Sequence, residues 1–347
     1  MLAAYLYGPK DLRLKEVPIP EINDNEILLK VKSTAICGTD IRMINNGYKG
    51  ITEETPRILG HEISGIIEKV GKNINKYETG MRIAVAPNMG CGVCDWCVSG
   101  NTHMCPDYRA LGINLDGGFA EYVKIPEEAC RQGNIVILGE HVTFDEAALN
   151  EPLSCVYNGF EKCDVKPGDN VLIIGTGPIG IMHAKLAKMA GAAKVMLNDI
   201  SKERLEVCSK VDSSFIILES DNLKEKVMKL TNGKGLDVCV TACPAPQAQA
   251  DSLELMNIGG RVNFFGGLPA GKEIVGINTN LVHYKQLILT GSARASLSQF
   301  RKTLDFISSG ILNVKDLISE RFTLDKISEG VNRATRAEGL KNIVYFE

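Results

Sequence analysis

Val171-Leu172-Ile173-Ile174-Gly175-Thr176-Gly177-Pro178-Ile179-Gly180 is the stretch on which the fold of this chain turns. The unbroken apolar run reads as a short, fully buried parallel strand, and the G-x-G-x-x-G after it as a tight strand-to-helix turn. The motif alone is weak; its setting gives it weight. Ile179, Met182, His183, Leu186 and Ala190 keep helical spacing, so His183 reads as a packed helix residue. Gly191-Ala192 ends that helix, and Lys194-Val195-Met196-Leu197-Asn198-Asp199 makes a second strand that finishes on an acid. Glycines that let a pyrophosphate approach a helix N-terminus, followed by an acid for the ribose, are the arrangement of a dinucleotide site. Asp199 would accept from the ribose hydroxyls and repel a 2′-phosphate, which favours NAD over NADP. Arg204 is close enough to belong with the cofactor residues, although a helix-surface charge is its plainer reading.

The βα alternation continues. Gly235 to Val240, Gly260 to Gly267 and Leu287 to Ser292 read as later strands of the same sheet. The loops at their carboxyl ends, with Gly266, Ser292 and Arg294, should line the nicotinamide crevice. The expected architecture of this half is a doubly wound parallel sheet over residues 152–286.

The first half reads differently. Short apolar runs such as Glu26 to Lys32 and Ser64 to Gly71 alternate with Pro18, Pro20, Pro56, Gly71 and Gly80, the pattern of a β-rich domain with little regular helix. Within it lie Cys37-Gly38-Thr39-Asp40 and Gly60-His61-Glu62. Either alone is an ordinary turn or an ordinary packed pair. Together with Glu151 they supply thiolate, imidazole and carboxylates, a donor set for a catalytic zinc with an open position. Thr143 and Glu146 have the form of a capping box for a short helix. The sequence predicts that this helix breaks at Glu151, because Pro152 disfavours the α conformation in the residue before it.

Cys91, Cys94, Cys97 and Cys105 form C-x2-C-x2-C-x7-C. Four thiolates so close together can close a tetrahedral shell around a structural zinc, and His103 is then surplus and expected at the surface. The chain has eleven cysteines, an odd number spread too widely for a disulfide scaffold and rich for a reducing compartment, so metal is the better explanation for the clustered ones. The N-terminus lacks a basic leader region, and a cytosolic address is the default expectation. The remaining cysteines read as small buried apolar residues. A net charge of −3 gives no case for nucleic acid or an anionic membrane, and no apolar run approaches a membrane span. A length of 347 residues implies two domains.

With these pieces in order, the chain resembles the zinc-dependent medium-chain dehydrogenases over essentially its whole length. Gly60-His61-Glu62-Ile63-Ser64-Gly65 with Gly71 and Ile74 fits the zinc alcohol dehydrogenase signature. Cys37 to Asp40 fits the first catalytic-zinc segment, the four cysteines the structural site, and Gly175, Gly177, Pro178, Ile179 and Gly180 the cofactor turn. The resemblance implies a GroES-like β-barrel catalytic domain, residues 1–151 and 287–347, completed by a returning C-terminal segment, plus a Rossmann domain with the active site in the cleft between them. Glu151-Pro152-Leu153 stands where classical alcohol dehydrogenases place a cysteine ligand, which resembles the sorbitol (polyol) and threonine dehydrogenase branch.

That likeness implies a catalytic zinc shared by Cys37, His61 and Glu62 or Glu151, with Thr39 in the proton path. It also implies Arg294 beside the nicotinamide, NAD as oxidant, a polyol substrate and a homotetramer or homodimer. Arg42 stands where a relay histidine is common, and a guanidinium cannot shuttle protons. Two other enzyme readings stay open, L-threonine 3-dehydrogenase and a sugar-alcohol-phosphate dehydrogenase. From a different class, a non-catalytic zinc-stapled dinucleotide binder would lack the catalytic ligands.

Overall fold

The computed structural model describes residues 1–347, which divide into two compact units, Met1–Ser154 with Arg294–Glu347, and Cys155–Ala293. No helix is long and apolar enough to cross a membrane.

The first unit is built on a seven-stranded sheet ordered Ile135–Ile137, Arg82–Val85, Glu62–Val70, Ile27–Ala35, Lys341–Tyr345, Ile318–Thr323, with Tyr122–Ile125 also paired to Ile27–Ala35. The Ile27–Ala35 strand is its organising element. Ile27, Leu29 and Val31 alternate inward against Ile63, Ile67, Ile83 and Val123, and all of these are buried. One edge of the strand pairs with Tyr122–Ile125 near its start and with Lys341–Tyr345 near its end, where Ile343 sits opposite Ala35. Its other edge pairs antiparallel with Glu62–Val70. The strand that leads into Cys37 therefore lies between the strand that begins at Glu62 and one from the chain's last residues. A second cluster, including Leu6, Met43, Leu59, Phe119, Ile327 and Val344, packs the short sheet of Asp11–Glu16, Leu2–Gly8 and Arg57–Ile58 against this framework.

The second unit is a six-stranded sheet in the order Ile216–Glu219, Lys194–Asp199, Asn170–Ile174, Leu236–Thr241, Met256–Phe264, Ile288–Gly291, parallel throughout. Numbered along the chain, that order is 3-2-1-4-5-6, the doubly wound arrangement with its switch point beside Asn170–Ile174. Leu172, Ile174, Met196, Cys239 and Val262 form its core. Ile288–Gly291 hydrogen-bonds to Met256–Phe264, so the division falls between Ala293 and Arg294 and not at 287.

The capping box at Thr143 forms: its hydroxyl accepts from the Glu146 N–H while the Glu146 carboxylate accepts from the Thr143 N–H. The expected break at Glu151 does not. The short helix Phe144–Ala148 ends at Leu149, and a new helix runs Asn150–Cys163 with Glu151 and Pro152 in its first turn. There a proline costs little, because the N–H it lacks would have no partner inside the helix.

Candidate functional site

Cys37, His61 and Glu62 converge: their donor atoms lie within 4.8 Å of one another. Cys37 stands just before the helix Gly38–Asn46, so the positive end of that helix faces the same place. Asp40, fully buried in its first turn, ties the two ligand segments together. It accepts the Cys37 N–H at 2.9 Å and the Gly60 N–H at 3.3 Å, and its Oδ1 lies 3.4 Å from His61 Nδ1. That last contact is too poorly aligned to count as a hydrogen bond, which leaves Nδ1 an unsatisfied buried atom. Burial disfavours the imidazolium, but Asp40 and then Cys37 outweigh it and hold the His61 pKa well above its ordinary value. Gly60 has φ +86°, and a Cβ there would sit 2.7 Å from the Phe119 ring, so only glycine fits before His61.

Sequence reasoning missed one partner. Lys341, 279 residues from Glu62, donates to both of its carboxylate oxygens, at 2.6 Å to Oε2, and to the Ile36 carbonyl at 3.3 Å. Lys341 is 4% exposed and Glu62 fully buried. Burial works against the ammonium, yet Glu62, then Cys37 and Glu151, raise its pKa. Nothing local marks Lys341; only the returning strand brings it here. Glu151 is buried and near enough for Lys341 to feel its charge, but it is not among the three groups within 4.8 Å. Thr39 is half-buried, and its hydroxyl oxygen accepts from Arg42 at 3.3 Å. Mixed sulfur, nitrogen and oxygen donors, the sulfur half-buried and the other two buried, with Asp40 and Lys341 beside them, suit a zinc ion with room for an exogenous ligand.

The four cysteines of the lobe also converge, all free thiols with sulfurs within 4.8 Å. Cys94 Sγ and Cys105 Sγ are 3.7 Å apart. The edge of a tetrahedron with zinc–sulfur bonds of about 2.3 Å is about 3.8 Å, so the cradle fits the ion. Backbone N–H groups of Cys91 and Cys94 donate to Cys105 and Cys91 sulfurs, the usual outer support of such a cluster. Donation from Val93 and Cys94 lowers the Cys91 thiol to about 7, whereas burial pushes Cys97 up to about 12. His103 is buried, not at the surface. Arg294, expected beside the nicotinamide, contacts this lobe. It donates to the His103 carbonyl at 2.8 Å and lies 3.7 Å over the Tyr108 ring, on a residue with φ +59°.

In the second unit, Gly177 precedes the helix Pro178–Met189, whose first-turn N–H groups have no partner within the helix. A Cβ at Gly180 would meet the Gly175 carbonyl at 1.9 Å, so strand and helix could not approach otherwise. Asp199 accepts from the N–H and hydroxyl of Thr176 at 2.7 and 3.0 Å and from the Ser201 N–H at 3.0 Å, which fixes its carboxylate beside the turn. Arg204 is not simply a surface charge: its Nη1 lies 3.9 Å from Asp199 and over the open side of Gly177. Gly266 follows the adjoining strand Met256–Phe264, where a Cβ would strike the Cys243 carbonyl at 2.4 Å. Ser292, one residue beyond Ile288–Gly291, has a buried hydroxyl without a hydrogen-bond partner.

Residues 23–134 match the alcohol dehydrogenase GroES-like domain, and residues 178–309 match the zinc-binding dehydrogenase domain. The chain is 31% identical to a sorbitol dehydrogenase of Bacillus subtilis, over 99% of this chain and 97% of that protein. It is 33% identical to an L-threonine 3-dehydrogenase of Rhizobium etli, over 92% and 90%. Among solved structures, a zinc-binding dehydrogenase from Sinorhizobium meliloti bound to NADP superimposes with a TM-score of 0.90 at 28% identity, covering 99% of both chains.

Proposed function

The chain belongs to the zinc-dependent medium-chain dehydrogenase family, in its polyol-dehydrogenase-like branch, and we propose that it interconverts a secondary alcohol of an unphosphorylated sugar alcohol and the corresponding ketose. It is an alcohol oxidoreductase with zinc and NAD as cofactors. The observation that supports the substrate class is the donor set: the half-buried Cys37 sulfur and the buried His61 imidazole accompanied by carboxylates, Glu62 within 4.8 Å and Glu151 close by, in place of a second sulfur. Such a pocket is polar and suits a hydroxyl-rich substrate better than an aliphatic alcohol.

Zinc at Cys37, His61 and a carboxylate would acidify the hydroxyl, and NAD would accept the hydride. The chain's own residues do the rest. Asp40 orients His61 through the Gly60 and Cys37 backbone, and Lys341 holds Glu62 in place by donating to both of its carboxylate oxygens. Thr39 Oγ1 accepts the hydroxyl proton and passes its own to solvent water. Arg42 cannot take that proton and instead donates to Thr39, so the hydroxyl's hydrogen is left free to leave. Gly175, Gly177, Pro178, Ile179 and Gly180 cradle the pyrophosphate, Asp199 accepts from the ribose, and Arg204 stands beside it as a phosphate contact. Gly266 and Ser292 lie toward the nicotinamide. Cys91, Cys94, Cys97 and Cys105 hold the structural zinc.

Eleven cysteines without a disulfide support a reducing compartment. The free edge of Ile288–Gly291, with Tyr284 and Ile288 exposed beside it, supports a homo-oligomer joined there. The L-threonine 3-dehydrogenase reading has its own support in the relatives of that name at 33% identity. A screen of NAD reduction with sorbitol, other sugar alcohols, a sugar-alcohol phosphate and L-threonine decides between them. The polyol reading expects kcat/KM for one sugar alcohol at least about tenfold above the other two classes. A preference for threonine or for the phosphate ester overturns it.

A further inference from the structure

On the first unit, outside the ligand sets already described, lies a groove of about 500 Å³ whose lining is strongly unbalanced in charge. Lys32, Arg82, Lys315 and Arg321 face it against a single acid, Asp145. Asp145 is itself divided between the Ser33 hydroxyl at 2.8 Å and Arg321 at 3.0 Å. Arg82 spends its donors on the neutral carbonyls of Gly139, Glu140 and Val142 and stacks on Phe144, so its positive charge has no carboxylate opposite. Lys315 reaches Glu146 only at 3.6 Å, with most of its side chain in solvent. Lys32 makes no ion pair and no side-chain hydrogen bond. Partial burial and the neighbouring Lys30 lower its pKa, and only Glu347 works the other way. Lys32, Arg82, Lys315 and Arg321 thus outnumber Asp145, Glu146 and Glu347 around the groove, and a bound anion would relieve the repulsion that remains. The remaining walls, Phe144, Ile318 and Phe346, are apolar.

We propose that this groove binds a small organic dianion, a phosphate monoester whose apolar body lies against Phe144 and Phe346 while its charge is shared by Lys32 and Arg321. The site is separate from the Cys37 centre: Lys32 precedes Cys37 by five residues along an extended strand, roughly 16 Å. It is also connected to it. Lys32 and Ser33 belong to the strand that delivers Cys37, and Phe144 and Asp145 open the short helix that leads into Glu151. An anion there competes with Asp145 for Arg321, and so acts on an element that ends at the carboxylates of the centre.

Calorimetric titration of the zinc-loaded full chain, saturated with NAD to fill the glycine turn, with phenyl phosphate and separately with inorganic phosphate, tests the assignment. The expected result is one saturable site for phenyl phosphate, weaker for inorganic phosphate. Lys32→Glu and Arg321→Ala should each weaken it about tenfold or more, and Lys272→Glu, on the other unit, should leave it unchanged. Thermal melts establish that each variant is folded, and Arg321→Ala keeps the test valid if Lys32→Glu is not. Absence of a saturable heat up to about 20 mM, or equal affinity in the folded groove variants and the control, overturns the proposal.

Discussion

The cysteine lobe and the Cys37 centre are both donor sets that could hold a metal, on the same unit, yet they are built in opposite ways. The lobe draws its four sulfurs from Cys91 to Cys105, a single loop, and supports them with that loop's own N–H groups. The centre draws donors from two segments, fastens them with Asp40, and completes them with Lys341 from 279 residues away. Like donors in a closed shell leave no place for a substrate, whereas mixed donors held from outside leave one open. The lobe therefore draws every sulfur from its own loop, with Arg294 tying that loop from outside. The centre depends on the fold being complete.

That contrast can be broken or sharpened by substitution. The largest effect is expected at Cys37→Ser. Turnover should fall by about a thousandfold or more, while NAD binding, read by fluorescence titration, changes little; retained turnover in a zinc-depleted variant would show the centre to be idle. Lys341→Met comes next, because it leaves Glu62 buried without its counter-charge. A loss of about 3–5 kcal/mol is expected, measured by urea unfolding of the first unit's transition, and a loss below about 1 kcal/mol would show that Glu62 is held by something else. At the lobe, Cys97→Ser should lower Tm by on the order of 10 °C and leave the kcat of the folded fraction within about twofold. A collapse of kcat at temperatures where the variant is still folded would merge the two roles that the comparison separates.

The smallest effect is one of pH. In the metal-free chain Asp40 and Cys37 keep His61 protonated above the ordinary imidazole range, and zinc must displace that proton. Apparent zinc affinity at the centre should therefore rise with pH, about tenfold per unit for each proton released. It should level off once pH passes the raised His61 pKa. Chelator competition over pH 6–9 reads this, and an affinity independent of pH would show that His61 is not a ligand.

What the sequence made legible follows the same division. The glycine turn, its acid Asp199 and the cysteine lobe are local patterns, so spacing alone exposes them. The three donors of the centre were found because two short segments carry them, but the residues that hold them were not. Asp40 reads as part of a turn until its oxygens are seen on Cys37 and Gly60. Lys341 lies in a strand whose destination is set by pairing with Ile27–Ala35. Arg204 reads as a helix charge because its reach over Gly177 is set by how the folded elements come together, not by local spacing. Glu151 was misjudged by a local rule: Pro152 forbids a helix interior but not a first turn, and here a new helix begins one residue before Glu151. Arg294 was placed by analogy, and its bond to the His103 carbonyl shows a second tie on the lobe.

Anomalous diffraction at the zinc edge, on the native chain and on Cys37→Ser, tests the central claim most directly. The account predicts two peaks in the native chain, one among the four lobe sulfurs and one touching Cys37 and His61, and only the lobe peak in the variant. A native chain with zinc in the lobe alone, still oxidising an alcohol with NAD, would contradict it.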